Sequence, residues 1–313
     1  MDIAIVSWNT RDELRRALAS VRRHGGDRRV VVVDNASTDG SPDMVREEFP
    51  EVELVAESEN LGFAAGANRA FQAAGDADIL LLNADVELTP GAVERLESAL
   101  DEHPRAAAIG PRLVNEDGST QHSAYRFPTL EVAAWLNSGL WRLRSESWQA
   151  ARLLETSPQP ARPAPVDWVI GAALAVRRTA LAEVGGLEES FFMYAEDLEW
   201  CHRAAKAGWQ IWYEPAAAVL HLGNRSGAQA FGAGRTAAWL QSTYAFARRA
   251  HGSAWARAYF ALNAAGTGAR YAAARARHAV APSAATRRAL ATWGPHVAYH
   301  LRGVRPLDGR RPG

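Results

Sequence analysis

Two four-residue apolar runs, each cut off by polar residues that include a carboxylate, restrict this chain to few architectures. Val30-Val31-Val32-Val33 runs into Asp34, and Ile79-Leu80-Leu81-Leu82 runs into Asn83-Ala84-Asp85. Runs that are apolar at every position suit strands covered on both faces, as in a parallel sheet between helices. The neighbouring segments supply the pattern: strands are expected at 3–7, 29–33, 52–56 and 79–82, with helices at 12–24, 41–49, 64–74 and 90–102. Such alternation predicts an α/β fold with a Rossmann-like, mainly parallel sheet and helices on both faces. In open sheets of this kind ligands bind beyond the carboxyl ends of the strands, so Asp34 and Asp85 are expected to face a site. A hard carboxylate such as Asp85 suits Mg²⁺ or Mn²⁺ shared with a diphosphate. A helix N-cap is the plainer reading of the same aspartate.

The second half is less regular. A turn at 114–119 sits in an expected hairpin, and 128–165, which carries Trp135, Trp141 and Trp148 and then a proline-rich stretch, reads as a mobile flap or connection on the acceptor side. Residues 168–176 read as one buried strand, 196–206 as a helix with a Glu199–Arg203 pair, and 210–213 and 217–220 as closing strands with His221 at the end. Helices follow at 236–250 and 254–278, and then a disordered end rich in Gly, Pro and Arg.

Charge divides the chain. The formal net charge is zero, yet from Arg225 onward there are fourteen arginines against one acid, Asp308, which leaves the first 224 residues with an excess of thirteen acids. An Ala-rich basic helical extension suits an anionic lipid surface, through Arg248, Arg249, Arg257, Arg270, Arg275 and Arg277. A solvated arginine face on helices packed against the rest is the competing reading, and nucleic acid ranks last because no reader motif is present. No apolar run reaches the eighteen or so residues of a membrane span. The N-terminal residues form neither a basic leader nor an apolar signal segment. With one cysteine, Cys201, a cytoplasmic location is expected, with contact at the inner face of the plasma membrane through the basic helices. Cys201 itself reads as a small buried apolar residue.

Five segments in order, 6–10, 30–41, 60–70, 79–85 and 193–201, resemble the GT-A-fold, family 2 inverting glycosyltransferases, especially their rhamnosyltransferase-like branch. The resemblance covers residues 2 to 225. It implies a GT-A domain over 1–225, with 1–110 binding nucleotide-sugar and 111–225 binding acceptor, followed by the extension at 226–313. It further implies that Asp34 accepts the imide N–H of a uracil or thymine ring, and that Ser7, Asn9, Asn60, Gly62 and Asn68 lie at the nucleotide. Asn83 takes the place of the first aspartate of the DxD segment and bonds the ribose, which leaves the metal to Asp85 with His221. Asp197 is the implied general base and Glu196 an orienting group. Adjacent carboxylates at a helix start also complement the dipole, which is the plainer reading of the pair. Ser37, Thr38 and Asp39 read as turn formers.

The expected activity is transfer of a sugar, L-rhamnose from dTDP-L-rhamnose, to a cell-surface polysaccharide or lipid-linked glycan, using Mg²⁺ or Mn²⁺. Transfer of another sugar from a UDP donor, an inactive GT-A scaffold and a nucleotidyltransferase are the alternatives.

Overall fold

A computed structural model describes residues 1–156, 158–223 and 231–303. The front of the chain alternates as its apolar runs require. It forms β1 (Asp2–Ser7), α1 (Arg11–His24), β2 (Val30–Asp34), α2 (Ser41–Glu48), β3 (Glu53–Ala56), α3 (Phe63–Ala73), β4 (Ile79–Asn83), β5 (Val86–Leu88) and α4 (Ala92–Glu102). The chain continues through β6 (Ala106–Val114), β7 (Ala124–Tyr125), α5 (Leu130–Ser138), α6 (Glu146–Arg152), β8 (Ala164–Val166), β9 (Trp168–Val169) and β10 (Ala173–Val176). After α7 (Arg178–Val184), α8 (Glu196–Lys206) and β11 (Gln210–His221) come three long helices, α9 (Arg235–His251), α10 (Ser253–Val280) and α11 (Ala284–Arg302).

The main sheet has the order β3-β2-β1-β4-β10-β6-β11-β5, with β8 added on β11, and β7 pairs with β9 apart from it. Strands β3, β2, β1 and β4 are mutually parallel, β10 is antiparallel to β4 and β6, and β6 and β11 are again parallel. One face packs Leu14 and Leu18 of α1, Met44 of α2, and Leu96 and Leu100 of α4 against Ile3, Ile5, Val32 and Leu80. The other packs Phe71 of α3, Leu181 of α7 and Trp200 of α8 against Val31, Val33, Leu81 and Leu174. Because neighbouring residues of β2 and β4 go to opposite faces and both are apolar, the runs needed no alternation. Helix α3 lies close to the sheet because its face is small: a methyl group added at Gly66 would come 2.8 Å from the Val6 and Asn35 side chains.

Several expectations change. Residues 128–165, expected as a mobile flap or connection, carry regular elements. They form α5, α6 and β8, and Arg270 of α10 donates to Asn137 Oδ1 at 2.9 Å and to the Leu136 carbonyl. The expected single strand at 168–176 is broken, because 170–172 turn out of β9 before β10 joins the main sheet. The two expected closing strands are one strand, β11, with an irregularity between Glu214 and Ala218. Beyond the last expected helix the chain forms a further one, α11, which starts at a capping box between Ser283 and Thr286; residues 304–313, in the end expected to be disordered, lie outside the described residues.

Candidate active site

Strand register collects the polar strand ends at one edge. Ser7 of β1 lies opposite Asp34 of β2, and Asn83 of β4 lies opposite Val6. Asp34 is 1% exposed. Its Oδ1 accepts the Ser37 N–H at 2.8 Å, while its Oδ2 is buried with no partner. Burial pushes the Asp34 carboxyl above its usual range. A buried acceptor without a donor costs roughly 1–3 kcal/mol, and this oxygen has the capacity to accept an N–H brought by a ligand.

Much of the loop architecture around it is built by the expected nucleotide residues themselves. Asn9, at φ +50°, accepts the Thr38 N–H on Oδ1 at 2.7 Å, and its own N–H donates to Ser37 Oγ at 2.8 Å. Ser7 and Thr10 share a hydroxyl contact of 3.0 Å. Asn60 Oδ1 accepts the Gly62 N–H at 2.9 Å. Gly62 has φ +88°, and a Cβ there would meet the Phe192 carbonyl at 2.5 Å. Asn68 is spent elsewhere: its Nδ2 donates to the Leu187 carbonyl and Glu189, and its Oδ1 accepts the Leu187 N–H at 2.8 Å. Asn68 thus ties α3 to the loop before α8 and does not join the strand-end cluster. One residue missed by sequence reasoning is Asn35, which is buried, donates to the Gly62 carbonyl at 3.0 Å and leaves Oδ1 without a partner. Its place immediately after a strand-end aspartate was the available signal.

The expected metal pair does come together. Asp85 precedes β5, and β5 pairs with the end of β11, where His221 lies opposite Val86. His221 Nε2 stands 3.5 Å from Asp85 Oδ1. His221 Nδ1 contacts Gln121 Oε1 at 2.7 Å, and a glutamine oxygen can only accept, so Nδ1 carries the proton. The Nε2 lone pair is thereby aimed at the site, and that atom has no hydrogen-bond partner. One carboxylate and one imidazole fit a divalent ion that takes its remaining ligands from phosphate and water. Among the described residues no three His, Cys, Asp or Glu side chains group as a metal cage. Gln121 was missed because nothing in its local sequence marks a histidine orienter. Arg225, a candidate for neutralising a diphosphate without metal, lies outside the described residues.

Asp197 and Glu196 open α8, and both are buried. Asp197 Oδ2 accepts the Gly171 N–H at 2.8 Å and Oδ1 accepts its neighbour Leu198 N–H at 2.7 Å. The adjoining Ala172 carbonyl accepts the Asn83 N–H at 2.9 Å, so the 171–172 turn links the candidate base to the end of β4. Burial raises the Asp197 carboxyl, and its backbone bonds oppose that rise. Glu196 is raised further, by burial and by the Asp197 charge, and its Oε2 has no partner. Two carboxyls pushed apart in this way suit an ionised base beside a neutral acid. The preceding Tyr194 and Ala195 have φ +73° and +68°, a left-handed pair that costs on the order of 1–3 kcal/mol per residue and persists only when the surroundings hold it. Helix α9 supplies that hold: Ser242 Oγ donates to the Met193 carbonyl at 3.1 Å, and Ala245 and Phe246 pack with Phe191, Ala195 and Leu198.

Tyr125 and Trp168 stack with centroids 4.6 Å apart, and burial, with smaller contributions from the Glu155 and Asp197 charges, raises the Tyr125 hydroxyl to about 12. Glu155 stands behind them, raised to about 7 by burial, with Oε2 lacking a partner. Cys201 is buried and its thiol is held well above its usual range, as an inert residue requires.

A sheet of parallel strands, β3-β2-β1-β4, extended by the mixed strands β10, β6, β11 and β5, with carboxylates at the strand ends, is the GT-A architecture of glycosyltransferases. The chain belongs to Glycosyl transferase family 2, whose sequence model matches residues 2–184. It is 35% identical over 269 residues to the N-acetylglucosaminyl-diphospho-decaprenol L-rhamnosyltransferase of Mycobacterium tuberculosis, which covers 82% of this chain and 86% of that protein. The mannosyltransferase PcManGT from Pyrobaculum calidifontis, solved with GDP-Man and Mn²⁺, superposes with a TM-score of 0.58 at 20% identity, covering 96% of this chain and 83% of that one. GalNAc-T7, solved with UDP, GalNAc and Mn²⁺, superposes with a TM-score of 0.51 at 17% identity over 71% of this chain and 42% of that one. The chain is a glycosyltransferase, and these two structures speak for the fold.

Proposed function

We propose that this glycosyltransferase is metal-dependent and inverting, and that it moves L-rhamnose from dTDP-L-rhamnose to a lipid-linked glycan at the inner membrane face. The similarity over most of both chains to an L-rhamnosyltransferase whose named acceptor is a diphospho-decaprenol supports the sugar and the acceptor class. The unsatisfied Asp34 Oδ2 is the observation that carries the donor reading, because a thymine or uracil ring brings an imide N–H to that buried oxygen. A UDP-sugar satisfies the same oxygen, so UDP donors are the second reading.

In this mechanism Asp197 accepts the acceptor hydroxyl proton while that oxygen bonds to the anomeric carbon, and the bond from that carbon to the diphosphate breaks on the opposite face. One displacement with one base inverts the configuration, whereas a retaining route needs a nucleophile on the far side. The Gly171 and Leu198 N–H groups favour the ionised form of Asp197 against its burial and aim the carboxylate. Asp85 and His221 would hold a Mg²⁺ or Mn²⁺ ion, whose chemistry is to stabilise the negative charge developing on the diphosphate. Ser7 and Asn83 line the ribose side, and Glu196, kept neutral by Asp197, orients the acceptor. The Tyr125–Trp168 stack offers an apolar floor for a sugar ring. Exposed arginines of α9–α11 supply the contact with anionic lipid. A panel of dTDP-, UDP- and GDP-sugars, scored for release of nucleoside diphosphate with Mg²⁺ and Mn²⁺, tests donor and metal together; preference for a GDP-sugar would refute the donor reading.

A further inference from the structure

Segment 140–143, the part of the expected flap that turns outward, has a composition unlike the rest of the surface. Leu140 is 53% and Leu143 83% exposed, with Trp141 between them. Single exposed leucines are ordinary, but two on one turn beside a tryptophan form a small apolar projection. It is flanked by Arg142 and Arg144, whose guanidinium groups lie over Trp141 at 4.5 Å, Trp135 at 4.7 Å and Trp148 at 5.3 Å. Neither arginine pairs with an acid among the described residues; Glu131 and Glu146 are the carboxylates of the adjoining helices, and Glu131 is engaged by Arg152.

The turn is fixed to the basic helices. Asn137 bonds Asn263 at 2.9 Å as well as Arg270, and Arg270, itself held over Trp293 at 5.0 Å, feels the charge of Arg142. Residues 231–303 carry ten arginines and no acid. Arg270 is therefore structural and not a lipid contact, and Arg249 is engaged by Glu188. Arg248, Arg257, Arg275, Arg277, Arg287, Arg288 and Arg302 remain exposed, and Val280 is 88% exposed at the end of α10.

We infer that the 140–143 turn is a membrane-inserting wedge: Leu140 and Leu143 enter the acyl–headgroup boundary of an anionic bilayer while Arg142, Arg144 and the arginines of α9–α11 engage the head groups. Apolar tips, an aromatic at the boundary and unpaired cations with alkyl stems are what an interfacial anchor requires. The charge of the surrounding surface selects an anionic bilayer over a neutral one. The inference deepens the lipid-linked reading of the acceptor and rests on it for its purpose, since an enzyme seated there meets an acceptor held in the membrane.

The experiment is sedimentation of the full chain with phosphatidylglycerol-containing and pure phosphatidylcholine vesicles at low and high salt, for wild type, Leu140→Ser/Leu143→Ser and Arg142→Gln/Arg144→Gln. The leucine variant should lose about tenfold or more of its partitioning at both salt concentrations. The arginine variant should lose binding mainly at low salt, where charges are least screened. Slow hydrolysis of the donor should be unchanged in both, which shows that the fold is intact. Leucine-variant partitioning equal to wild type overturns the wedge, as does a wild-type dimer that the leucine variant converts to monomer. Leucine-dependent binding together with failure to glycosylate any lipid-linked acceptor leaves the wedge standing and removes the acceptor reading; transfer to such an acceptor with leucine-independent binding does the reverse.

Discussion

Replacing Asp197 with Asn separates the chemical role of this residue from its structural one, because the site gives both roles a size. Removing a general base costs about 10² to 10⁴ in rate, or roughly 3–5 kcal/mol of barrier. The structural change works in both directions. Asp197 is buried with its carboxyl raised, so a neutral amide relieves the cost of the charge; at Glu196 burial, the main cause of its rise, remains, and only the share from the Asp197 charge is removed. Against this, Asp197 accepts N–H groups on both oxygens. An amide has one oxygen, so one of those N–H groups loses its acceptor at about 1–3 kcal/mol. These terms nearly cancel, and the melting temperature should move little. Turnover should fall at least a hundredfold while donor affinity, measured by calorimetry with nucleoside diphosphate and Mn²⁺, stays within a factor of about three. A variant that keeps more than a tenth of wild-type turnover, or that loses donor affinity along with turnover, would refute the assignment of Asp197 as base.

His221→Ala should weaken Mn²⁺ activation more than Mg²⁺ activation, because imidazole is the ligand that favours Mn²⁺; equal loss with both ions would remove His221 from the metal site. Glu155, with a folded pKa of about 7 against an ordinary 4.5, contributes stability that is full below about pH 4.5 and is lost as pH rises through 7. Glu155→Gln should therefore flatten the pH dependence of the melting temperature between about 4.5 and 7 and raise stability at pH 8 by on the order of 3 kcal/mol; an unchanged slope in thermal scans counts against it. Ser242→Ala, which removes the bond to the Met193 carbonyl, should lower kcat several-fold with little effect on donor binding, and Ser242→Thr should restore it. If kcat is unaffected, α9 does not brace the catalytic turn.

The strand-end part of the candidate site was legible because its residues sit at the ends of parallel strands. A run such as Ile79–Leu82 fixes the strand, and strands of this kind fix where Asp34, Asn83 and Asp85 must lie. The part around His221 and Asp197 was less so, because it depends on contacts far apart in sequence. Gln121 reaches His221 across one hundred residues, and Gly171 meets Asp197 across twenty-six. The 128–165 segment looked like a flap because its short helices lack a strong apolar stripe of their own. They are held by α10, through Arg270 and Asn263, and no local pattern announces that. Helix α11 was not placed because Pro295 and few large apolar residues leave it without a clear helical stripe; its burial is concentrated at Tyr299, against Tyr244 of α9. Asn9, Asn60 and Asn68, expected at the nucleotide, have side chains that hydrogen-bond the backbone of the loops they sit in or face.

The most direct test of the whole account is a reaction of the purified chain with dTDP-L-rhamnose, Mn²⁺ and a short-chain N-acetylglucosaminyl-diphospho-lipid, followed by analysis of both products. The account predicts release of one free dTDP per rhamnose transferred, with inverted anomeric configuration, and loss of donor binding in Asp34→Ala as the unsatisfied oxygen disappears. Release of pyrophosphate, retention of configuration, or full donor affinity in Asp34→Ala would contradict it.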